Sequence, residues 1–267
     1  MTAVTLAAAD AAVIAKRNII KITRVPEVLV FVLLSPIMFV LLFGYVFGNS
    51  IDIPGSSYRE FLIAGVFAQT VMFGATFTGA GIADDMQKGI IDRFRSLPMA
   101  RSAVLAGRTA SDVVYNALSL TIMMITGLLV GWRMRGSVLD AMLGFVLLLA
   151  FAYAVSWVMA LVALLVPSVE VINNAAFMVI FPLTFIANTF VPAEDLPGPL
   201  QTFAEWNPVS AVTQAARELF GNIPEGTPEP TAWPLQHPVV YTLLWIVVII
   251  GVFAPLAVGR YQRTNRR

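Results

Sequence analysis

Residues 141–193 read AMLGFVLLLAFAYAVSWVMALVALLVPSVEVINNAAFMVIFPLTFIANTFVPA, and the only charge in the stretch is Glu170. A helix crossing ~30 Å of hydrocarbon at 1.5 Å per residue needs about 20 apolar residues. The stretch is therefore too long for one crossing and long enough for two. Pro167 and Ser168, just before Glu170, disfavour an uninterrupted helix, so the spacing predicts two helices joined by a tight turn. Working outward with the same measure, charge-free runs recur at 28–47, 61–83, 113–131 and 239–259, beside 141–169 and 171–193. The expected fold is an all-α integral membrane protein forming one domain over 1–267. Its six crossings are placed at 28–47, 61–83, 113–131, 141–166, 171–193 and 239–259.

Composition agrees. Of 267 residues, 58% are hydrophobic and 12% charged, with a mean hydropathy of +0.80; soluble domains average about 45–50% apolar and about 25% charged. A net charge of +1 leaves no basic excess for nucleic acid. With no cysteine and one histidine, disulfides, thiolate metal sites and thiol nucleophiles are excluded. His237, at the outer end of the sixth run, reads as a solvated loop residue, and no metal site is expected. The first run is too long for a signal-peptide core and is expected to stay as an anchor. Thirteen Lys and Arg fall in 1–27, 84–112 and 260–267, against four in 48–60, 132–140 and 194–238. The positive-inside rule then puts both termini in the cytoplasm and segment 194–238 outside.

Segment 194–238 carries Leu196, Leu200, Phe203, Trp206 and Phe220, too apolar for a flexible linker. It is expected to fold back on the membrane as short helices at 199–203 and 210–220, the second with Ser210 as N-cap and Gly221 just past its end. Segment 1–27 reads as an in-plane amphipathic helix, with Ile14, Ile19 and Ile22 on one side and Lys16, Arg17, Lys21 and Arg24 opposite, anchored on the membrane surface.

No Asp, Glu, Lys, Arg or His lies inside the six runs, so proton or sodium coupling lacks its usual carriers. Neutral polar residues remain: Gln69, Thr70, Asn116, Asn173, Asn174 and Asn188. They either line a ligand path or hydrogen-bond between helices. Phe73, Phe177 and Phe181 stand as wall residues for an apolar cargo, or as packing bulk. The chain has no G-x-x-x-x-G-K-[ST], G-x-S-x-G or H-E-x-x-H, so neither ATP binding nor hydrolytic catalysis is expected of it, and no cofactor is assigned to it.

The soluble segment that asks for a purpose is DDMQKGIIDRFRSLPMARSAVLAGR, residues 84–108, within the inner connection 84–112. Ile90, Phe94 and Leu97 form one stripe at i, i+4, i+7, while Lys88, Asp92, Arg93 and Arg95 take other faces and Pro98 ends the helix. That pattern suits a helix on lipid headgroups or one docked in a partner's groove, and periodicity does not separate the two.

Two stretches, DRFRSLPMARSAVLAGRTASD (92–112) and FPLTFIANTFVPAEDLPGPLQTFAEWNPVSAVTQAAREL (181–219), resemble the type-2 ABC transporter permeases, nearest the daunorubicin-resistance-type drug exporters of actinobacteria. The resemblance covers essentially the whole chain. In the second stretch the family's Pro-rich junction, Asn-Pro and Arg-bearing short helix fall on Pro192, Pro197, Asn207, Pro208 and Arg217. It implies a permease subunit that pairs with itself or a related permease and binds two copies of a cytoplasmic ABC ATPase subunit, where ATP and Mg reside. Such a complex exports an amphipathic drug, natural product or lipid. It also implies a coupling helix at 88–97, carried by Lys88, Gly89, Ile90, Ile91, Asp92, Arg93, Phe94, Arg95 and Leu97 and ended by Pro98. Gln69, Phe73, Asn116, Phe177, Phe181 and Asn188 are candidates for the path. The competing readings are a stand-alone secondary transporter or channel, which calls for buried charge at the midplane, and a membrane enzyme acting on lipids, for which the sequence offers no nucleophile.

Overall fold

The computed structural model describes residues 3–23, 34, 37–47, 57–96, 101–166, 168–223 and 229–263, and among these every regular element is a helix. In chain order they are α1 Ala3–Thr23, α2 Ile37–Val46, α3 Tyr58–Gly74, α4 Thr76–Gln87, α5 Ile90–Ser96 and α6 Arg101–Val130. There follow α7 Val138–Leu165, α8 Val169–Phe185, α9 Gly198–Trp206, α10 Pro208–Phe220, α11 Trp233–Gln236 and α12 Pro238–Arg263. Four of the described helices are long and apolar enough to cross a membrane: the in-line pair α3–α4 (Tyr58–Gln87), α6 from Ser102 on, α7 and α12. α2 and α8 are shorter and apolar. Residues 28–33, 35–36 and 48–56, which bear on the first expected crossing and its exit, lie outside the described residues, as do Leu97, Pro98 and Pro167.

Local chemistry explains the boundaries. Ser168 caps α8 by accepting from the Val171 N–H, so the 141–193 stretch divides where the sequence placed the turn, with α7 ending at Leu165. α8 ends at Phe185 rather than running to 193. Pro182 sits in its last turn, and the chain then turns through 186–190 toward a short 3₁₀ turn at Ala193–Asp195. The other crossings are longer than their apolar runs: the second reaches Tyr58 and Gln87, and α6 begins at Arg101 rather than 113. Helix propensity continues through Arg, Ala, Leu and Ser as readily as through apolar residues, and hydropathy does not register it. Much of the expected 84–112 connection is thus helix.

The pair α3–α4 is the buried spine, enclosed by α6, α7, α8 and α10. α12 is far more open, with Leu243, Val247, Val252 and Leu256 about half-exposed as a lipid-facing surface requires. α1 departs from a purely lipid-facing surface helix. It packs along the start of α6, burying Ile14 and Asn18, and Gly107 of α6 lets it approach so closely that an added Cβ would press on Ile14 and the Ala11 carbonyl.

Candidate functional site

Two polar assemblies stand at opposite ends of the spine. The α10 end is built on Arg217. Asn207 accepts from the Val209 N–H and Pro208 follows at the first helical position, so α10 starts there and Ser210 is not its cap. Ser210 instead accepts a hydrogen bond from the Asn188 N–H, 3.1 Å away. Gly221, at φ 69°, closes the helix in the left-handed conformation, as the sequence indicated. Arg217 is 2% exposed. Its Nε and Nη2 each donate to the Phe61 carbonyl at 3.1 Å, Nη2 also donates to the Asn188 carbonyl at 2.7 Å, and the guanidinium lies 3.5 Å from the Phe61 ring centroid. The turn after α8 meets α3 so tightly that a Cβ on Gly65 would collide with the Thr189 carbonyl. Around this cage, Phe67, Trp132, Phe145 and Phe220 pack edge-on and tilted with centroids 5.0–5.8 Å apart. The indole of Trp132 donates to Asn222 at 2.8 Å, and Arg135 pairs with Glu60 at 2.9 Å.

The α5 end is built from ions. Gly89, at φ 64°, turns the chain sharply from α4 into α5. Ile91 is buried at 2% exposure and Ile90 and Phe94 are partly covered, while Lys88, Asp92 and Arg93 are exposed. The stripe read from the sequence therefore faces the protein in part: the Arg17 guanidinium of α1 lies 4.9 Å from the Phe94 ring centroid and pairs with Asp85 of α4. Lys88 pairs with Asp84 at 2.8 Å, and its hydrogen bond to that carboxylate raises the pKa of its ammonium. One turn deeper, Arg108 of α6 donates to the Phe77 carbonyl at 2.7 Å and pairs with Asp112 at 3.4 Å, while Thr78 donates to Asp112. A Cβ on Gly81 would collide with the Arg108 guanidinium, so glycine there makes room for it. Asn18 of α1 donates to Ser111 beside this group at 3.3 Å.

The expected path residues separate into three groups. Phe73, Phe177 and Phe181 form a row, with centroids 6.3 Å apart for the first pair and 5.0 Å for the second, and the row continues through Phe185 to Phe190. Phe177 is 57% exposed. Asn116 is buried on α6, its Nδ2 donating to the Asp112 carbonyl at 2.9 Å and its Oδ1 filling the notch at Gly74. Asn188 belongs to the α10 end, and Gln69 is buried on α3. The side chains of Arg95 and Leu97 lie outside the described residues. Sequence reasoning missed Arg108, Asp112, Thr78 and Asp85, because the margins of the apolar runs were read as solvated. The i, i+4 spacing of Arg108 and Asp112 was the signal available.

A sequence profile described as ABC-2 type transporter matches residues 10–220, which contain Arg217 and its partners at one end of the spine and Arg17, Asp85, Arg108 and Asp112 at the other. The chain is 32% identical, over 90% of its length and 81% of the relative's, to the daunorubicin resistance ABC transporter permease protein DrrB1 of Streptomyces coeruleorubidus. It is 24% identical, over 90% of its length and 82% of the relative's, to the doxorubicin resistance ABC transporter permease protein DrrB of Mycobacterium tuberculosis. The chain belongs to the ABC-2 type transporter family, and it is an integral-membrane permease subunit of an ABC exporter.

Proposed function

We propose that this permease exports an amphipathic drug, natural product or lipid, driven by a separate cytoplasmic ATPase subunit bound in two copies, and that α5 receives the stroke. The observation carrying this reading is the position of α5. It is a seven-residue helix hung between two crossing-length helices, with Ile91 buried and Phe94 against Arg17 of α1, which in turn pairs with Asp85 of α4, while Lys88, Asp92 and Arg93 face outward. A lipid-surface helix has no need of such wiring into the bundle. The remaining parts follow. α2 and α8 contribute to two further crossings, making six in one domain, with both termini cytoplasmic, α1 lying near the inner surface, and α9 and α10 dipping into the outer leaflet. ATP and Mg bind on the partner, and the membrane is the bacterial cytoplasmic one. Six helices enclose little beyond their own packing, so the conduit forms with a second copy or a related permease. The row from Phe73 to Phe181 is a wall for the cargo, with Gln69, Asn116 and Asn188 as polar stations.

The test is co-expression of the chain with the neighbouring reading frames of its operon, recovery on a tag, and measurement of ATP hydrolysis. Recovery of an ATPase in a 2:2 complex that is lost with Ile90→Asp and Arg93→Glu supports the reading. A lone chain that moves solute without ATPase overturns it in favour of a secondary transporter, for which the buried Asp112 and its partly covered partner Arg108 are the relevant observation.

A further inference from the structure

The geometry points to Arg108 as a positioning residue for transport: with Thr78 and Asp112 it clamps α4 to α6, so that α4, α5 and α6 answer the ATPase as one lever. This rests on the coupling reading of α5. Three observations carry it. First, the clamp is the polar connection between the two helices that flank α5. Arg108 reaches across to a backbone carbonyl of α4, at Phe77, while holding Asp112 of its own helix, and Thr78 of α4 closes the ring by donating to the same carboxylate. Second, the fit is specific. Gly81 leaves the space the guanidinium occupies, and the Asp112 and Thr78 side chains are shut away from solvent. A planar fork is what such a bridge needs, since an ammonium has no second nitrogen to span carbonyl and carboxylate. Third, just beyond the clamp the second crossing passes from α3 to α4 through Ala75, which keeps a right-handed helical conformation at φ −64° and ψ −22°. α3 ends at Gly74, α4 begins at Thr76, and the Thr76 hydroxyl satisfies the Phe73 carbonyl at 2.7 Å. α3 is held by the α10 end through Phe61, Gly65 and Tyr58, whose hydroxyl donates to the Phe190 carbonyl at 3.0 Å. The two halves of the crossing thus carry different polar anchors, α3 at the α10 end through Phe61 and α4 at Arg108 through Phe77.

A strut that merely stabilised the fold would change thermal stability and leave the path of motion intact. The lever predicts the reverse. The chain has no cysteine, so spin labels on Gln87→Cys and Leu165→Cys report α4 against α7, and labels on Ala110→Cys and Leu165→Cys report α6 against α7. Both double variants are used in the complex with its ATPase, with and without ATP. In the wild-type background both distances shift together. In Thr78→Val, which keeps the volume and loses the hydroxyl, the α4 distance still shifts while the α6 shift falls at least twofold, with ATP hydrolysis within about twofold of wild type. Thr78→Ser restores the joint shift. Arg108→Lys serves as the second variant and splits the shifts in the same way. Equal shifts in wild type, Thr78→Val and Arg108→Lys overturn the clamp while sparing the coupling reading. No ATP-dependent shift at either pair in the wild type overturns the coupling reading itself, and the lever with it.

Discussion

At the α10 end the buried Arg217 is gripped by backbone carbonyls and an aromatic ring and meets no carboxylate, whereas at the α5 end Arg17 and Arg108 each pair with a carboxylate, Arg108 while also holding one carbonyl. The carbonyls come from segments far apart in the chain, Phe61 and Asn188, and each is fixed by its own backbone. An arginine fork in that setting has one geometry, so the α10 end behaves as a fixed cap. At the α5 end the ties run among α1, α4 and α6, so these elements can shift together while the pairs between them stay made. The difference teaches where a transporter of this build holds still and where it moves.

That contrast is open to breakage, beginning with the cap. Arg217→Met should remove the donors to two buried carbonyls and cost about 3 kcal/mol or more, since each buried group left unpaired costs ~1–3 kcal/mol; thermal unfolding in detergent by size-exclusion fluorescence measures it, and a midpoint unchanged from wild type would dissolve the idea of a rigid cap. Gly65→Ala should cost about 2 kcal/mol by forcing the Thr189 backbone away from α3, read from the same unfolding curves. Asn207→Ala, which deletes the N-cap of α10 and the 2.7 Å bond to the Leu183 carbonyl, should cost about 1–2 kcal/mol. Gly79→Ala, on the lever side, should cost less than Gly65→Ala, because the nearest neighbours of its Cβ, Ile172 and Met159, stand at 3.1–3.2 Å, whereas a Cβ on Gly65 collides with the Thr189 carbonyl; a destabilisation equal to that of Gly65→Ala would show the two ends to be equally rigid. Smallest of all, Lys88→Ala should leave the thermal midpoint unchanged, because its pair with Asp84 is solvent-exposed.

Much of this was readable in the order of residues. The Pro167–Ser168 division, the left-handed Gly221 and the short helix before it follow from local chemistry. Where sequence reasoning strayed, the competing force was tertiary. Ser210 is a good capping residue, but Asn207 precedes Pro208, which begins the helix earlier and frees Ser210 for the turn after α8. Segment 1–27 has the amphipathic pattern of a surface helix, yet Gly107 and Ser111 give it a proteinaceous seat. The apolar runs marked crossings by counting charges, and that counting hid the charges at their margins, which the bundle buries in pairs.

The sequence by itself determined that the chain lives in a membrane and where its long apolar helices fall. Those properties depend on composition and on spacings of a few residues, which lipid and backbone read directly. Only the tertiary structure decided that Arg217 closes a carbonyl cage, that Arg108 reaches α4, and that α1 is strapped to α5. Each of these joins residues separated by 29 to 156 positions, as Arg217 to Asn188 at one extreme and to Phe61 at the other. No local pattern announces such a pairing. A buried polar group takes whichever partner the packed helices bring within 3 Å, and that is settled by packing.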